Sequence, residues 1–364
     1  MESTGARILA LIAVFVPMLA AAAPASEIPA VMDAIAARLE QNQVKQGFNC
    51  GEWDDKWGFN GSIVTGMVDA YECAEKELYL ASAALGGEFI LRDVPCDAFL
   101  GDEVYAFFRL GALEVAAGGG QWQSVVERFF DAVGSTPQAV SRYTDLYYGV
   151  DSSTAVFYLA YFAVAAHDTN VAGAAHWRQA LIDHLGCVAD DMAEFPVMAL
   201  GVATWGLIET GVLDDTPVGP FDADPYWEGV RLCDLPGLLA GHQVPEGEPF
   251  SGSFYWRLDH MSGPLPGPTA GFTEDTIYGT LGLVAFASLK ENIHREDLKQ
   301  AILAARDALL AGVDTDGTVY EHLSHEGKKY YAYAGEMLQV LSRIEDYLKA
   351  QEESALEEAV PVDQ

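Results

Sequence analysis

Basic side chains are scarce in this chain. Lys and Arg together number 20 against 54 Asp and Glu, only eight of the 20 are lysine, and the formal net charge is −34. So large an acidic excess excludes nucleic acid and anionic membrane surfaces as expected partners. The sequence has no CxxC and no Cys/His cluster, so no zinc site is expected. It also lacks a phosphate-binding Gly loop, a nucleophile elbow and a metalloprotease motif, and nothing in it requires a cofactor or a metal. After residue 25 no apolar run is long enough to span a bilayer.

The first 25 residues read as a secretory signal. Arg7 supplies the positive end, ILALIAVFVPMLAAAA the apolar core, and Ala-Pro-Ala before Ser26 a cleavage site. A membrane anchor is the competing reading. With cleavage, the mature protein is expected to be secreted or periplasmic and off the membrane. Export would permit disulfides among Cys50, Cys73, Cys96, Cys187 and Cys233, with Cys187–Cys233 one plausible bridge. The acidic, lysine-poor surface suits saline surroundings, and it equally suits ordinary solvated faces.

Six stretches share a pattern: a small, acidic or amide residue near Ser, Thr or Gly, then apolar and aromatic residues at helical spacing. They begin at Asn60, Gly101, Asp151, Glu194, Glu274 and Tyr331. Helices apolar on most faces are buried between other elements. Amphipathic segments separate most of them, such as 294–311, where Leu298, Ile302, Ala305 and Leu309 share one face. We expect about twelve helices: 28–42, 62–73, 76–92, 101–116, 121–133, 151–166, 171–187, 194–211, 228–240, 274–289, 294–312 and 330–350. Alternating buried and amphipathic helices fit an all-α (α/α)6 toroid over 26–350, followed by a flexible acidic tail at 351–364. An open solenoid is the alternative.

Parallel inner helices would bring their amino ends to one mouth, beneath long loops at 43–60 and 241–273. In the second, SFYWRLDHM reads as a strand of a small hairpin. Carboxylates and aromatics gather at these positions, without metal ligands. Sugar rings stack on aromatic faces, and paired carboxyls can act as acid and base or nucleophile on a glycosidic bond. Asp151, Glu274, Asp275 and His260 are the catalytic candidates. Trp53, Asp54, Trp57, Tyr147, Tyr148, Trp256, Tyr278 and Tyr331 are the substrate-binding candidates. Tyr143 and Asp145 fall in the same groups. Elimination on a uronate would also need a cation, which Arg142 or Arg257 could supply. The competing reading makes the acids helix caps and the aromatics core. Asp314 and Asp316 in GVDTDGTVYEH form a tight turn or a short calcium-binding turn that lacks the EF-hand glutamate.

VDSSTAVFYLA at 150–160 and DTDGTVYEHLSHEGKKYYAYAGEMLQVLSRI at 314–344 resemble segments of the α/α-toroid superfamily. Its members include terpenoid cyclases, prenyltransferases, polysaccharide lyases and glycosidases. In the first segment Ser152 and Ser153 stand where the cyclases carry further aspartates, so the cyclase proton-donor cluster is missing. In the second, Gly335-Glu336 opens the last inner helix. The resemblance implies an exported toroid acting on a polysaccharide or oligosaccharide by hydrolysis or elimination. A non-catalytic carbohydrate- or protein-binding toroid and a terpenoid-handling protein are the alternatives.

Overall fold

The computed structural model describes residues 27–54, 60–148, 152–188, 196–219, 225–257 and 270–359; of 146–148 and 355–359 it describes the backbone alone. The predicted signal segment lies outside these residues. Among them are thirteen α-helices: α1 (Ile28–Asn42), α2 (Asn60–Ala74), α3 (Glu77–Asp93), α4 (Gly101–Ala116), α5 (Gln121–Val133), α6 (Pro137–Tyr148), α7 (Ser152–Asp168), α8 (Ala174–Leu185), α9 (Pro196–Glu209), α10 (Leu235–Gly241), α11 (Thr273–Ala287), α12 (Glu296–Ala311) and α13 (Tyr331–Ala359).

Six of them form a closed inner ring. α2 packs on α4, α4 on α7, α7 on α9, α9 on α11, α11 on α13, and α13 returns to α2. The molecule is therefore an (α/α)6 toroid and not an open solenoid. Burial follows composition. Every residue of α9 from Pro196 to Leu207 is buried, as is α7 from Ala155 to Ala166. The outer helices are apolar on one face only. In α1 the buried set is Ile28, Met32, Ile35, Ala36 and Leu39, and in α12 it is the predicted Leu298, Ile302, Ala305 and Leu309. Each large aliphatic side chain so buried contributes roughly 1.5–3 kcal/mol.

Close approach between inner helices depends on missing side chains. A Cβ on Gly66 of α2 would lie 2.2 Å from the carbonyl oxygen of Gly335 in α13. A Cβ on Gly201 of α9 would lie 2.3 Å from that of Tyr278 in α11. Backbones this close draw the ring inward, and aromatic side chains then fill its axis. Tyr105 of α4, Tyr161 of α7, Trp205 of α9 and Tyr278 of α11 are all essentially fully buried. The Tyr105, Tyr161 and Trp205 rings lie 5.1–5.5 Å apart. Tyr161 lies 3.3 Å hydroxyl to hydroxyl from Tyr278 and donates to Gln339 of α13 at 3.0 Å.

Four features differ from the sequence expectation. The segment expected as a loop before α7 is the helix α6. Pro137 starts it, Thr136 Oγ1 accepts from Ala139 N at 3.2 Å, and Val140, Tyr143 and Thr144 are buried. The last helix runs to Ala359, so the acidic segment is helical well past 350; Gln351 Nε2 donates to the Ile293 carbonyl at 2.8 Å. Of the segment expected as a hairpin strand, residues 253–257 are described, and they make isolated bridges, Gln243 with Phe254 and Tyr255 with Ala270. Further bridges join Phe272 to His322 and Tyr320 to Lys329, continuing this cover toward α13. No disulfide joins any of the five cysteines, so the Cys187–Cys233 bridge is absent.

The Asp314–Gly317 segment is a tight turn, and its carboxylates are occupied. Asp316 Oδ1 accepts from Thr318 N at 3.0 Å, and Asp314 Oδ2 accepts from Tyr320 at 3.0 Å. Among the described residues no group of His, Cys, Asp and Glu is arranged to hold a metal ion.

Candidate active site at the amino ends of the inner helices

Five carboxyl groups stand at the amino ends of three inner helices: Asp102 and Glu103 on α4, Glu274 and Asp275 on α11, and Glu336 on α13. Three of them serve the backbone. Asp102 Oδ2 accepts from Ser62 N at 3.0 Å, so a residue of α4 caps the neighbouring α2. Asp275 Oδ1 accepts from Met198 N at 3.2 Å, so α11 caps α9 in the same way. These two junctions lie on opposite sides of the ring. Glu103 Oε2 caps its own helix by accepting from Leu100 N at 2.8 Å. Free amides and the positive helix end make each position a good seat for an acid.

Glu274 and Glu336 cap no helix among the described residues. Glu274 is partly buried and faces the Tyr333 hydroxyl at a long 3.5 Å. Glu336 is 2% exposed, and its Oε2 has no hydrogen-bond partner among the described residues. Burial pushes Glu274 up to about 7; the Tyr333 hydroxyl opposes this and the charge of Glu321 adds to it. Burial lifts Glu336 well above the ordinary carboxylate range, the Glu274 charge lifts it further, and the Tyr278 and Ser62 hydroxyls pull it back. The charge of Glu274 thus opposes ionisation of the deeper Glu336.

The same carboxyls set the pH dependence of stability. Burial also raises Asp102, Glu103 and Asp275. Unfolded carboxyls ionise near pH 4. Between there and the raised native values, the folded chain binds more protons than the unfolded one, so stability falls as pH rises. Carboxyls held low, such as Asp316 beside Thr318, act only below this window. We expect the melting temperature to be higher at pH 5 than at pH 8 by several degrees at constant ionic strength. A reversed or flat order would contradict the protonated state of these groups.

The predicted residues divide. Asp275 sits in the cluster as a helix cap and not as a free acid. Trp53 is fully buried, not a sugar platform: Nε1 donates to the Leu39 carbonyl at 2.8 Å, and its amide donates to Asn60 Oδ1 at 3.1 Å. Replacing it with Phe should cost about 1–3 kcal/mol in urea unfolding through the orphaned carbonyl, with glycan binding unchanged. Tyr278 is fully buried in the middle of the ring, beside Tyr161. Tyr143 is core, its hydroxyl donating to the Phe99 carbonyl. Asp145 is exposed and acts on His184 of α8, in the outer layer. Trp256 is partly buried, 5.7 Å centroid to centroid from Phe272 just before α11. Asp54 and Tyr331 line a cavity of about 500 Å³ at the start of α13, with Arg38, Lys328, Lys329 and Tyr330. Asp151, His260 and Trp57 lie outside the described residues. The backbone of Tyr147 and Tyr148 ends α6.

Sequence reasoning does not single out Glu336 as a site residue, although Gly335-Glu336 is legible as the opening pair of a helix. Gly335 packs against the α2 backbone, a Cβ there lying 2.5 Å from the Ile63 Cα. Glu336, next in the chain, is thereby held beside Ser62.

No family model matches the sequence, and no curated protein matches it by sequence comparison. Solved structures share the fold. The GH76A α-1,6-mannanase from Salegentibacter sp. HEL1_6 superposes with a TM-score of 0.56 at 11% identity, covering 88% of this chain and 99% of the mannanase. A glycosyl hydrolase of family 88 from Bacteroides vulgatus gives 0.54 at 13% identity over 87% of this chain and 99% of its own. A polysaccharide lyase gives 0.52 at 14% identity over 89% and 98%.

Proposed function

We propose that this protein is an exported enzyme that cleaves a polysaccharide or oligosaccharide at the amino-end basin, by hydrolysis. One observation carries the reading: of the five acids at the amino ends of the inner helices, Glu274 and Glu336 are not spent on helix caps. A binding-only toroid has no need of an uncapped pair with raised pKa values. A terpenoid pocket would call for an apolar chamber, whereas the ring axis here holds tyrosine hydroxyls, Gln339 and Glu336. The neighbours that share the fold are themselves carbohydrate-acting enzymes. The mannanase has an inactive variant in which two adjacent aspartates are replaced by asparagine.

In this reading Glu274 supplies the carboxylate, as base or nucleophile, and the protonated Glu336 supplies the proton to the leaving oxygen. Tyr333 orients Glu274. Export rests on the N-terminal signal pattern; no helix among the described residues is long and apolar enough to cross a membrane. The test is a screen of neutral and acidic glycans for new reducing ends, with absorbance of unsaturated products read in parallel. Reducing ends without unsaturation support hydrolysis, and unsaturation moves the assignment to elimination. No product from any glycan would count against catalysis.

A further inference from the structure

We infer that the cavity beside the start of α13 is an anion-binding subsite, and that the glycan taken by this protein carries uronate or sulfate groups. The inference deepens the reading of the basin as a carbohydrate site. The cavity of about 500 Å³ is lined by Arg38, Lys328 and Lys329, with Asp54, Tyr330 and Tyr331 on the same wall. Cations are rare in this chain, so three in one cavity need a cause. Arg38 is held at 2.8 Å by Asp316. Lys328 and Lys329 are exposed and make no ion pair among the described residues; Lys329 Nζ sits 4.9 Å above the Tyr320 ring. The Tyr320 ring partly supports Lys329, but no carboxylate among the described residues neutralises either lysine. An anionic substituent would do so, and Tyr331 offers a ring beside it for a sugar face.

Side-chain contacts lead from the cavity wall toward Glu274. Tyr330 meets Tyr333 edge-on at 5.0 Å, and Tyr333 faces Glu274. The amide of Lys328 donates to Glu321 Oε2 at 3.2 Å, and the charge of Glu321 acts on Glu274. Two tyrosines, Tyr330 and Tyr333, thus stand between the cavity and Glu274. The overall charge of −34 would repel a polyanion at long range. At physiological salt, screening confines that repulsion to about 8 Å, so the local lysines decide.

The test is affinity electrophoresis against polygalacturonate, dextran sulfate and neutral dextran. It compares the full chain with Lys328→Glu/Lys329→Glu and with a control reversal, Lys290→Glu/Lys299→Glu, remote from the cavity. The expected result is tighter binding of at least one anionic polymer than of neutral dextran. That binding should weaken about tenfold or more in the cavity variant and change little in the control. Binding to polygalacturonate alone identifies uronate, and binding to dextran sulfate alone identifies sulfate. Equal weakening in both variants, preference for neutral dextran, or no effect of the cavity reversal would overturn the inference. The two proposals fail separately. Cleavage of a neutral glycan that depends on Glu274, without dependence on the lysines, removes this subsite and leaves the enzyme. Lysine-dependent anion binding with no cleavage of any glycan keeps the subsite and removes the enzyme.

Discussion

Replacing Glu274 with Gln is expected to reduce glycan cleavage by about 10²–10⁴-fold, the range for loss of a positioned acid–base group, with the fold intact. Gln preserves shape and removes the titrating charge. Glu274 supports no helix end, so the loss should appear in turnover while the unfolding midpoint does not fall, and above pH 7 it should rise because a buried charge is removed. Asp275→Asn is the informative partner. It keeps a neutral acceptor oxygen for the Met198 amide at a buried junction, so it should cost about 1 kcal/mol or less and lower activity less than Glu274→Gln does. The pH profile adds a second check. Glu274 must be ionised to act, so activity rises with pH through about 7. It falls again where Glu336 loses its proton, at a higher pH. In Glu274→Gln any residual activity should lose the acid limb. A variant with full activity, or an unmoved acid limb, removes Glu274 from the mechanism.

The largest expected structural effect comes from Gly66→Val. The first atom added would meet the Gly335 carbonyl oxygen at 2.2 Å and its Cα at 2.7 Å. Both are backbone, so no rotamer change relieves the clash. α13 would have to move away from α2, which opens the ring where its last helix meets its first. Overpacking in a core costs about 1–3 kcal/mol, occasionally more, and here the strain falls on the contact that closes the ring. We expect a loss of about 3 kcal/mol or more in urea unfolding, or failure to accumulate as folded protein. Gly118→Val is the control: a Cβ added to that glycine has nothing within 4 Å, although its φ of 87° carries a cost of its own. If Gly66→Val were as stable as the parent chain, α2 and α13 would not be in the contact described.

The fold is legible because buried inner helices and one-faced outer helices leave different patterns. Residues 151–166 are apolar on all sides, whereas 294–311 show a stripe. α6 escapes sequence reading for a reason of the same kind: its tyrosines and Asp145 look like a binding loop, and they outweigh the Ser135-Thr136-Pro137 start signal. The site is only half legible. Acids at helix starts are visible, but which of them spend their oxygens on amides depends on the neighbouring helix, far away in sequence. Asp275 and Met198 are 77 residues apart, and Asp102 and Ser62 are 40 apart. Aromatic residues raise the same difficulty. Trp53 lies between Glu52 and Asp54, and Tyr331 follows Lys328, Lys329 and Tyr330; only packing makes the first a pillar and the second a wall of a cavity.

Tyr105, Tyr161, Trp205 and Tyr278 fill the middle of the ring, so among the described residues no channel runs along its axis. If the protein acts on a polymer as proposed, that polymer cannot thread through the toroid, and it must arrive and depart on the same side.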